Sequence, residues 1–466
     1  MTAFGSSSRD PTPSPRPSPQ RGEGEGDGAA GLESRSLLAS RRFLPLFATQ
    51  FLGALNDNLF KNAMVILIVF RLAPQAGLDG AILANLATGL FILPFLLLSA
   101  PAGWLADRLE KSWLISVIKA CEIAIMLLGS LGLLIGDIVL LFGALVLMGV
   151  HSAFFGPLKY AILPVHLRPH ELLAGNALVE AGTFLAILLG TIAGGVLVLR
   201  ADGALLVSLG LVAASVAGYG ASRRIPPAPP TSGPARGLAL DPNVVRDSWR
   251  LVRAVATRPA LFRPILGLSW FWLVGATYLS QLPALTRDVI GADAQVVTLF
   301  LTEFSIGIGL GSLLCSRLLK GVVSLRLVKW AGLAISVFTI DLFLACRALD
   351  PPGAVLMDLG GFLAVPANWR VLADLLLAAL AGGVYTVPLY AVLQVRSRDD
   401  ERSRVIASGN ILSALFMVAG ALVTVALLAV GLRVPGVLLV LGLVNLAALA
   451  VVRLNDDSGQ TTEDGC

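Results

Sequence analysis

Apolar residues in this chain run in long blocks with few interruptions, not in the two- or four-residue rhythm of half-buried strands and amphipathic helices. Twelve blocks emerge, at 45–71, 81–106, 112–134, 138–159, 172–199, 203–221, 261–286, 295–318, 327–346, 370–393, 404–430 and 434–452. A helix needs roughly 20 apolar residues to cross a bilayer, and most of these blocks meet that length. The pattern predicts an all-α integral membrane protein with twelve transmembrane helices.

Two stretches break the pattern. Residues 1–40 are rich in Pro, Ser, Gly and Arg and contain no apolar run, so we expect a disordered cytoplasmic tail and no signal peptide. Residues 222–260 open with Pro226-Pro227-Ala228-Pro229-Pro230, and Val244 to Ala256 then mixes apolar and basic positions. This reads as a cytoplasmic linker ending in a helix on the membrane surface. It divides the chain into six-helix bundles at 41–221 and 261–453, with a short cytoplasmic tail at 454–466. The halves echo one another. Gly156-Pro157-Leu158-Lys159-Tyr160 followed by Gly175-Asn176 has its counterpart in Val387-Pro388-Leu389-Tyr390 followed by Gly409-Asn410. A parallel repeat of two six-helix halves is the organisation of the major facilitator fold.

Composition and charge sharpen this picture. Of the 466 residues 56% are hydrophobic and 14% charged, against roughly 25% charged in soluble domains. Of 35 Lys and Arg, 27 fall on the side of the N-terminus and six on the other, with Lys61 and Lys119 inside spans. By the positive-inside rule both termini are cytoplasmic. The net charge of +5 is thus topological and indicates no nucleic-acid partner. The four cysteines (Cys121, Cys315, Cys346, Cys466) have no paired spacing, and His151, His166 and His170 read as surface histidines beside a charged loop. No metal and no cofactor is expected. No nucleophile constellation or acyltransferase-type His-Asp pair is present in the pattern, so the chain is not read as an enzyme.

The candidate chemistry lies within the spans. Asn56, Asp57, Asn58 and Lys61 occupy the middle of the first span, with Asp57 and Lys61 four residues apart on one face. A charge there costs at least about 2.5 kcal/mol, so it faces a polar cavity or a partner. Glu180 lies one turn beyond Asn176 on the fifth span, and Glu303 on the eighth is similar but isolated. Lys119 and Glu122 fit mutual neutralisation and a functional role equally well. Asp341 and Asp374, near the outer ends, read as merely hydrated. Lys159 and Tyr160 end the fourth span. In the seventh, Trp270, Phe271, Trp272, Tyr278 and Gln281 form an aromatic stretch suited to an acyl chain. Gly103 to Arg108, with Asp107 and Arg108, resembles the major-facilitator loop signature that locks the cytoplasmic side. Its second-half equivalent keeps Gly311 and Arg317 but has Ser316 in place of the aspartate. Gly190 with Gly194, and Gly307 with Gly311, are small-residue faces, expected to form a sliding seam between the fifth and eighth helices.

At Gln50 to Asn58, Gly156 to Pro164 and Gly175 to Ala181 the sequence resembles lysophospholipid transporters of the LplT type, over roughly 41–453. The resemblance implies a flippase of the Gram-negative inner membrane. It would move lysophospholipids, chiefly lysophosphatidylethanolamine, to the cytoplasmic leaflet, where a separate acyltransferase/acyl-carrier-protein synthetase reacylates them. It makes Asp57 and Lys159 the leading candidates for headgroup contact and conformational switching. One departure is Tyr278-Leu279-Ser280, where that branch can carry an arginine in the seventh helix. The physical reading fits independently: a zwitterionic headgroup needs a carboxylate and a cation, and Asp57, Glu180, Lys61 and Lys159 supply both. The competing expectation is a proton-coupled exporter of drugs or small metabolites, with Asp57 carrying the proton.

Overall fold

In the computed structural model, residues 37–230, 241, 243–349 and 355–451 are described. Most of the expected tails at 1–40 and 454–466 and part of the linker lie outside the described residues. Twelve long helices follow in order: α1 Leu44–Leu67, α2 Gly80–Arg108, α3 Lys111–Ile135, α4 Ile138–Ala161, α5 Leu172–Val198, α6 Gly203–Ser222, α7 Pro259–Ala284, α8 Ala294–Leu319, α9 Arg326–Arg347, α10 Asn368–Arg396, α11 Arg402–Ala429 and α12 Val434–Val451. Eleven are long and apolar enough to cross a membrane, and α12 carries a shorter apolar run, Val434–Leu449. The expected boundaries agree to within a few residues because the apolar run sets the length of each helix.

Local chemistry explains the turns. Gly136 closes α3 at φ +71°, a conformation that costs glycine little, and Asp137 opens α4 by accepting from the Leu140 N–H at 2.8 Å. Glu110 caps α3 through the N–H groups of Ser112 (3.0 Å) and Trp113 (2.5 Å) and also accepts from the Ala228 N–H at 2.6 Å. Burial alone would push this carboxyl up; the N–H groups of Ala228, Trp113 and Ser112 together hold it below the ordinary glutamate range. Lys111 N–H donates back to the Ala228 carbonyl at 3.0 Å, and Ser112 Oγ to that of Pro226. The proline-rich segment after α6 is therefore strapped across the start of α3. The linker helix, Val244–Ala256, packs on α2 and α11 through Leu251, Val252 and Val255, and exposes Trp249.

The packing pattern repeats after six helices. α1 packs on α5 as α7 does on α11, α2 on α4 as α8 on α10, and α3 on α6 as α9 on α12. Both α1 and α7 run into one π-helical turn, Ile68–Leu72 and Leu285–Ile290. The seam expected of the glycines is different in the structure. A Cβ on Gly190 or Gly194 would meet the backbone of α1 at Leu55 O (2.5 Å) and Leu59 O (2.7 Å). One on Gly307 or Gly311 would meet α10, at Ala379 Cβ (2.7 Å) and Leu380 O (1.9 Å). These glycines close each half internally. α5 and α8 do pack together across the halves, where the looser approach of Gly309 to Ala181 leaves 3.8 Å for a Cβ.

The halves meet most closely at the end where α1 begins, here called the basic end for its Lys- and Arg-rich loops. α2 packs on α11, α4 on α11 and α5 on α10. Asp107, at the end of α2, accepts from the backbone N–H groups of Ser403 (2.9 Å) and Arg404 (3.3 Å) and from Arg404 Nε at 3.0 Å. A carboxylate on the first N–H groups of a helix meets its unpaired donors and the positive end of its dipole. Gly103 makes room for this contact, because a Cβ would sit 2.7 Å from that of Ala407. Arg108 lies over the Trp104 ring at 4.0 Å, and Arg317 is exposed at the end of α8. Neither reaches across as the loop signature led us to expect; Arg404 fills that place. Deeper in, Asn176 and Gln394 exchange two hydrogen bonds, 2.7 and 3.0 Å, and Gln394 also donates to the Tyr160 carbonyl at 3.1 Å. The Tyr160 and Tyr390 rings stack with centroids 3.9 Å apart.

Two substitutions test this packing. Gly311→Ala is expected to cost more than about 1 kcal/mol and to lower the thermal-unfolding midpoint of detergent-solubilised protein, whereas Gly309→Ala leaves it unchanged. Equal effects would refute the assignment of the tight contact. In a background with all four cysteines replaced by serine, Asp107→Ala is expected to raise several-fold the rate at which an impermeant thiol reagent labels Asn176→Cys from the basic end. An unchanged rate would mean that this end stays shut without Asp107.

Candidate functional site

The interior charges of the first half form one connected cluster among α1, α3, α4 and α5. Lys119 Nζ donates to Glu122 at 2.6 Å, and both residues are buried. Asn56 Nδ2 donates to the other Glu122 oxygen at 2.9 Å, and His151 Nε2 lies 3.3 Å from Glu122. Lys119 also sits over the Phe155 ring at 4.7 Å, and a Cβ on Gly53 would fall 2.3 Å from its ammonium. Four groups on three helices thus hold one ion pair inside the bundle. His151, expected at the surface, is 6% exposed and belongs to this network. The helical register turns it inward, beside Ser152, which the sequence reading passed over. His166 is half-buried and His170 exposed.

Asp57 is half-buried, and its Oδ2 accepts from Ser152 Oγ at 2.7 Å. Lys61, one turn on, is within electrostatic reach of Asp57 and lies over the Phe91 ring at 5.5 Å. Lys159 is half-buried over the Tyr160 ring at 4.7 Å and feels both Glu180 and Asp57. Glu180 is buried and accepts from the Tyr160 hydroxyl. Carboxylates and ammoniums therefore alternate from Glu180 through Lys159 to Asp57 and Lys61. Asn58 instead donates to the Ala54 carbonyl of its own helix at 2.8 Å, beside Gly190 in the α1–α5 contact.

The second half supplies aromatic surface and acids. Trp272 Nε1 donates to the Tyr390 hydroxyl at 3.3 Å and stacks on Phe184 of the first half at 6.5 Å. Trp270 donates to Asn445 at 2.6 Å, tying α7 to α12. Tyr278 lies tilted against Phe304, with ring centroids 5.8 Å apart, and donates to Thr339 at 2.7 Å, while Gln281 is buried and donates to Ser280 at 3.2 Å. Glu303 is half-buried, and its Oε2 has no hydrogen-bond partner. Asp341 makes a double hydrogen bond to Arg370, at 3.0 and 2.5 Å. Asp374, expected to be hydrated, is 3% exposed, because its position on α10 faces α7 and α9. The residues missed from the sequence are those that complete pairs: His151, Ser152, Gln394 and Arg404. Their common signal is a polar or charged side chain within or just at the end of a span, and nothing in a linear reading marks which helix each one faces.

Known proteins share this fold. The profile of the Major Facilitator Superfamily matches residues 46–374. The lysophospholipid transporter LplT of Serratia proteamaculans (strain 568) is 26% identical over 375 residues, covering 79% of this chain and 83% of that protein. The crystal structure of the human organic anion transporter MFSD10 (TETRAN) superposes with a TM-score of 0.69 at 16% identity, over 88% of this chain and 99% of that one. That of the E. coli fucose:proton symporter FucP does so at 0.64 and 12% identity, over 88% and 97%. The twelve helices, their sixfold-shifted packing and the profile match together show that this chain belongs to the major facilitator superfamily.

Proposed function

We propose that the protein is a secondary transporter of lysophospholipids in a bacterial inner membrane, moving them to the cytoplasmic leaflet by alternating access. The observation that carries this reading is the alternating charge series Glu180, Lys159, Asp57 and Lys61 on the inner faces of α1, α4 and α5. A zwitterionic phosphoethanolamine headgroup presents an ammonium to Asp57 and a phosphate to Lys159 or Lys61. The apolar and aromatic side chains of α7, Phe271, Trp272 and Tyr278, suit the single acyl chain. Similarity to proteins named lysophospholipid transporters over most of the chain supports the same substrate class.

The charge asymmetry of the loops, 27 Lys and Arg against six, supports a cytoplasmic location for the basic end and for both termini. The close inter-half contacts at that end then correspond to a form shut toward the cytoplasm. Asp107 on the start of α11, with Gly103 beneath it, is the lock in this reading. The 41–221 and 261–453 bundles move as the two rocking units, joined by the 222–260 linker. An acyltransferase/acyl-carrier-protein synthetase consumes the delivered lipid.

The test is uptake of labelled lysophosphatidylethanolamine by spheroplasts of a strain lacking its own transporter and carrying this chain, with conversion to diacyl lipid as the readout. Asp57→Ala is expected to abolish uptake while the protein remains in the membrane. Lys159→Ala is expected to cost about 2 kcal/mol or more of headgroup binding, over tenfold in affinity. No uptake by the correctly inserted wild-type protein, with the acylating enzyme present, would overturn the substrate class in favour of a small-molecule exporter.

A further inference from the structure

Among the described residues, the membrane-spanning acids Glu303 and Asp374 of the second half each keep a carboxylate oxygen with no hydrogen-bond partner. Asp374 lies in the first two turns of α10, within a membrane-spanning helix. It is 3% exposed, and its Oδ2 is buried with no hydrogen-bond partner. The nearest cation, Arg370, is one turn back on the same helix, but its Nε and Nη2 are both turned to Asp341 on α9. Asp341 is also the carboxylate that bears on Asp374 electrostatically. Two neighbouring carboxylates are costly to ionise together, so one of them takes up a proton. The two hydrogen bonds from Arg370 mark Asp341 as the ionised member.

We propose that Asp374, with Asp341 and Arg370, forms a proton-binding site at the outer end of the second half, with the proton on Asp374. With that proton the cluster is neutral: one guanidinium, one carboxylate and one carboxylic acid. Without it, an uncompensated anion lies in a membrane-spanning bundle, which is costly. The titratable and charged groups facing Asp374 are Arg370 on α10, Asp341 and Cys346 on α9, and Tyr278 on α7. On α8 the titratable group at this depth is Glu303, one turn from Gly307, which packs on the Leu376 and Leu380 side of α10. Protons reach the site from the Arg370 side, because the Asp341 and Arg370 side chains are 35% and 49% exposed. The site does not depend on the identity of the transported substrate and is separate from Asp57.

Infrared difference spectroscopy of purified wild-type protein against Asp374→Asn, in lipid nanodiscs near neutral pH, tests it without any transport readout. The expected result is a carboxylic-acid C=O band in the wild type that is lost in the variant and that fades as pH is raised. Asp341→Asn, at a part-exposed position, is the second variant. It frees Arg370 to pair with Asp374, so the same band is expected to be lost. Thermal unfolding is an independent readout. A proton held by the folded state and released on unfolding gives stability that is present at low pH and lost as pH rises through the site's titration. Asp374→Asn should lack that loss. A difference spectrum with no acid band at any pH at which the protein stays folded, or a variant with the wild-type pH slope, would overturn the proposal.

Discussion

An ionised group inside about 30 Å of hydrocarbon has to find its counter-charge within the protein, and the first half is built around that requirement. Lys119 and Glu122 are three residues apart on α3, so their pairing is local, but two further groups on other helices complete it. Asn56 on α1 and His151 on α4 close around Glu122, which pins three helices to one carboxylate. The same requirement dictates residues that carry no charge. Gly53 is the position on α1 against which the Lys119 ammonium rests, and any side chain there would displace it. One ion pair therefore sets both polar and small residues on the neighbouring helices. It also leaves Asp57, the next residue after Asn56, free of that pair and in contact with Ser152.

Packing symmetry and charge symmetry part company in this protein. The helix contacts of the first half recur in the second with a shift of six, down to the π-helical turns that follow α1 and α7. The charges do not recur. At the α2–α11 crossing a carboxylate, Asp107, engages the N–H groups that open α11. At the equivalent crossing of α8 on α5 the position holds Ser316, whose hydroxyl turns back to the Leu313 carbonyl. The start of α5 is held instead by Glu171, paired with Arg42 from the segment before α1. One crossing thus carries a charged contact, and the other is neutral, with Ala181 against Gly309. Rigid-body motion of two halves needs both properties: a contact that distinguishes the two ends and a surface that does not resist sliding.

What the sequence made legible follows from dimensionality. Span positions, the linker helix and the two-half repeat are properties of local composition, and they were readable because a bilayer imposes a length along the chain. Partner identity is a property of space. Gly190 and Gly194 announce a close helix approach, yet nothing in their spacing says that α1, and not α8, fills the groove. Asn176 was legible as a polar residue inside a span, but its partner Gln394 lies 218 positions away in the other half. His151 and Asp374 were misread for one reason: His151 lies well inside a span and Asp374 near the end of one, and in both cases the helix turns the side chain toward its neighbours. Asp107 was legible because its motif is local, and Arg404 was not, because its role comes from α11 packing on α2.

The aromatic pair between the halves links the interior charges to the closed end. Tyr160 and Tyr390 stack face to face, and each hydroxyl is bonded on its own side: Tyr160 donates to Glu180, and Tyr390 accepts from Trp272. Parting the halves at the basic end must separate these rings, because Tyr160 is on α4 and Tyr390 on α10. Lys159, whose ammonium lies over the Tyr160 ring, then loses the shelter of the second half together with Glu180. Gln394 strengthens the link, since it bonds both Asn176 and the Tyr160 carbonyl and cannot keep either bond if the ends separate. The interior charges of α4 and α5 are thus covered from this end while it is shut. Water admitted by its opening weakens their interaction, because the effective dielectric rises.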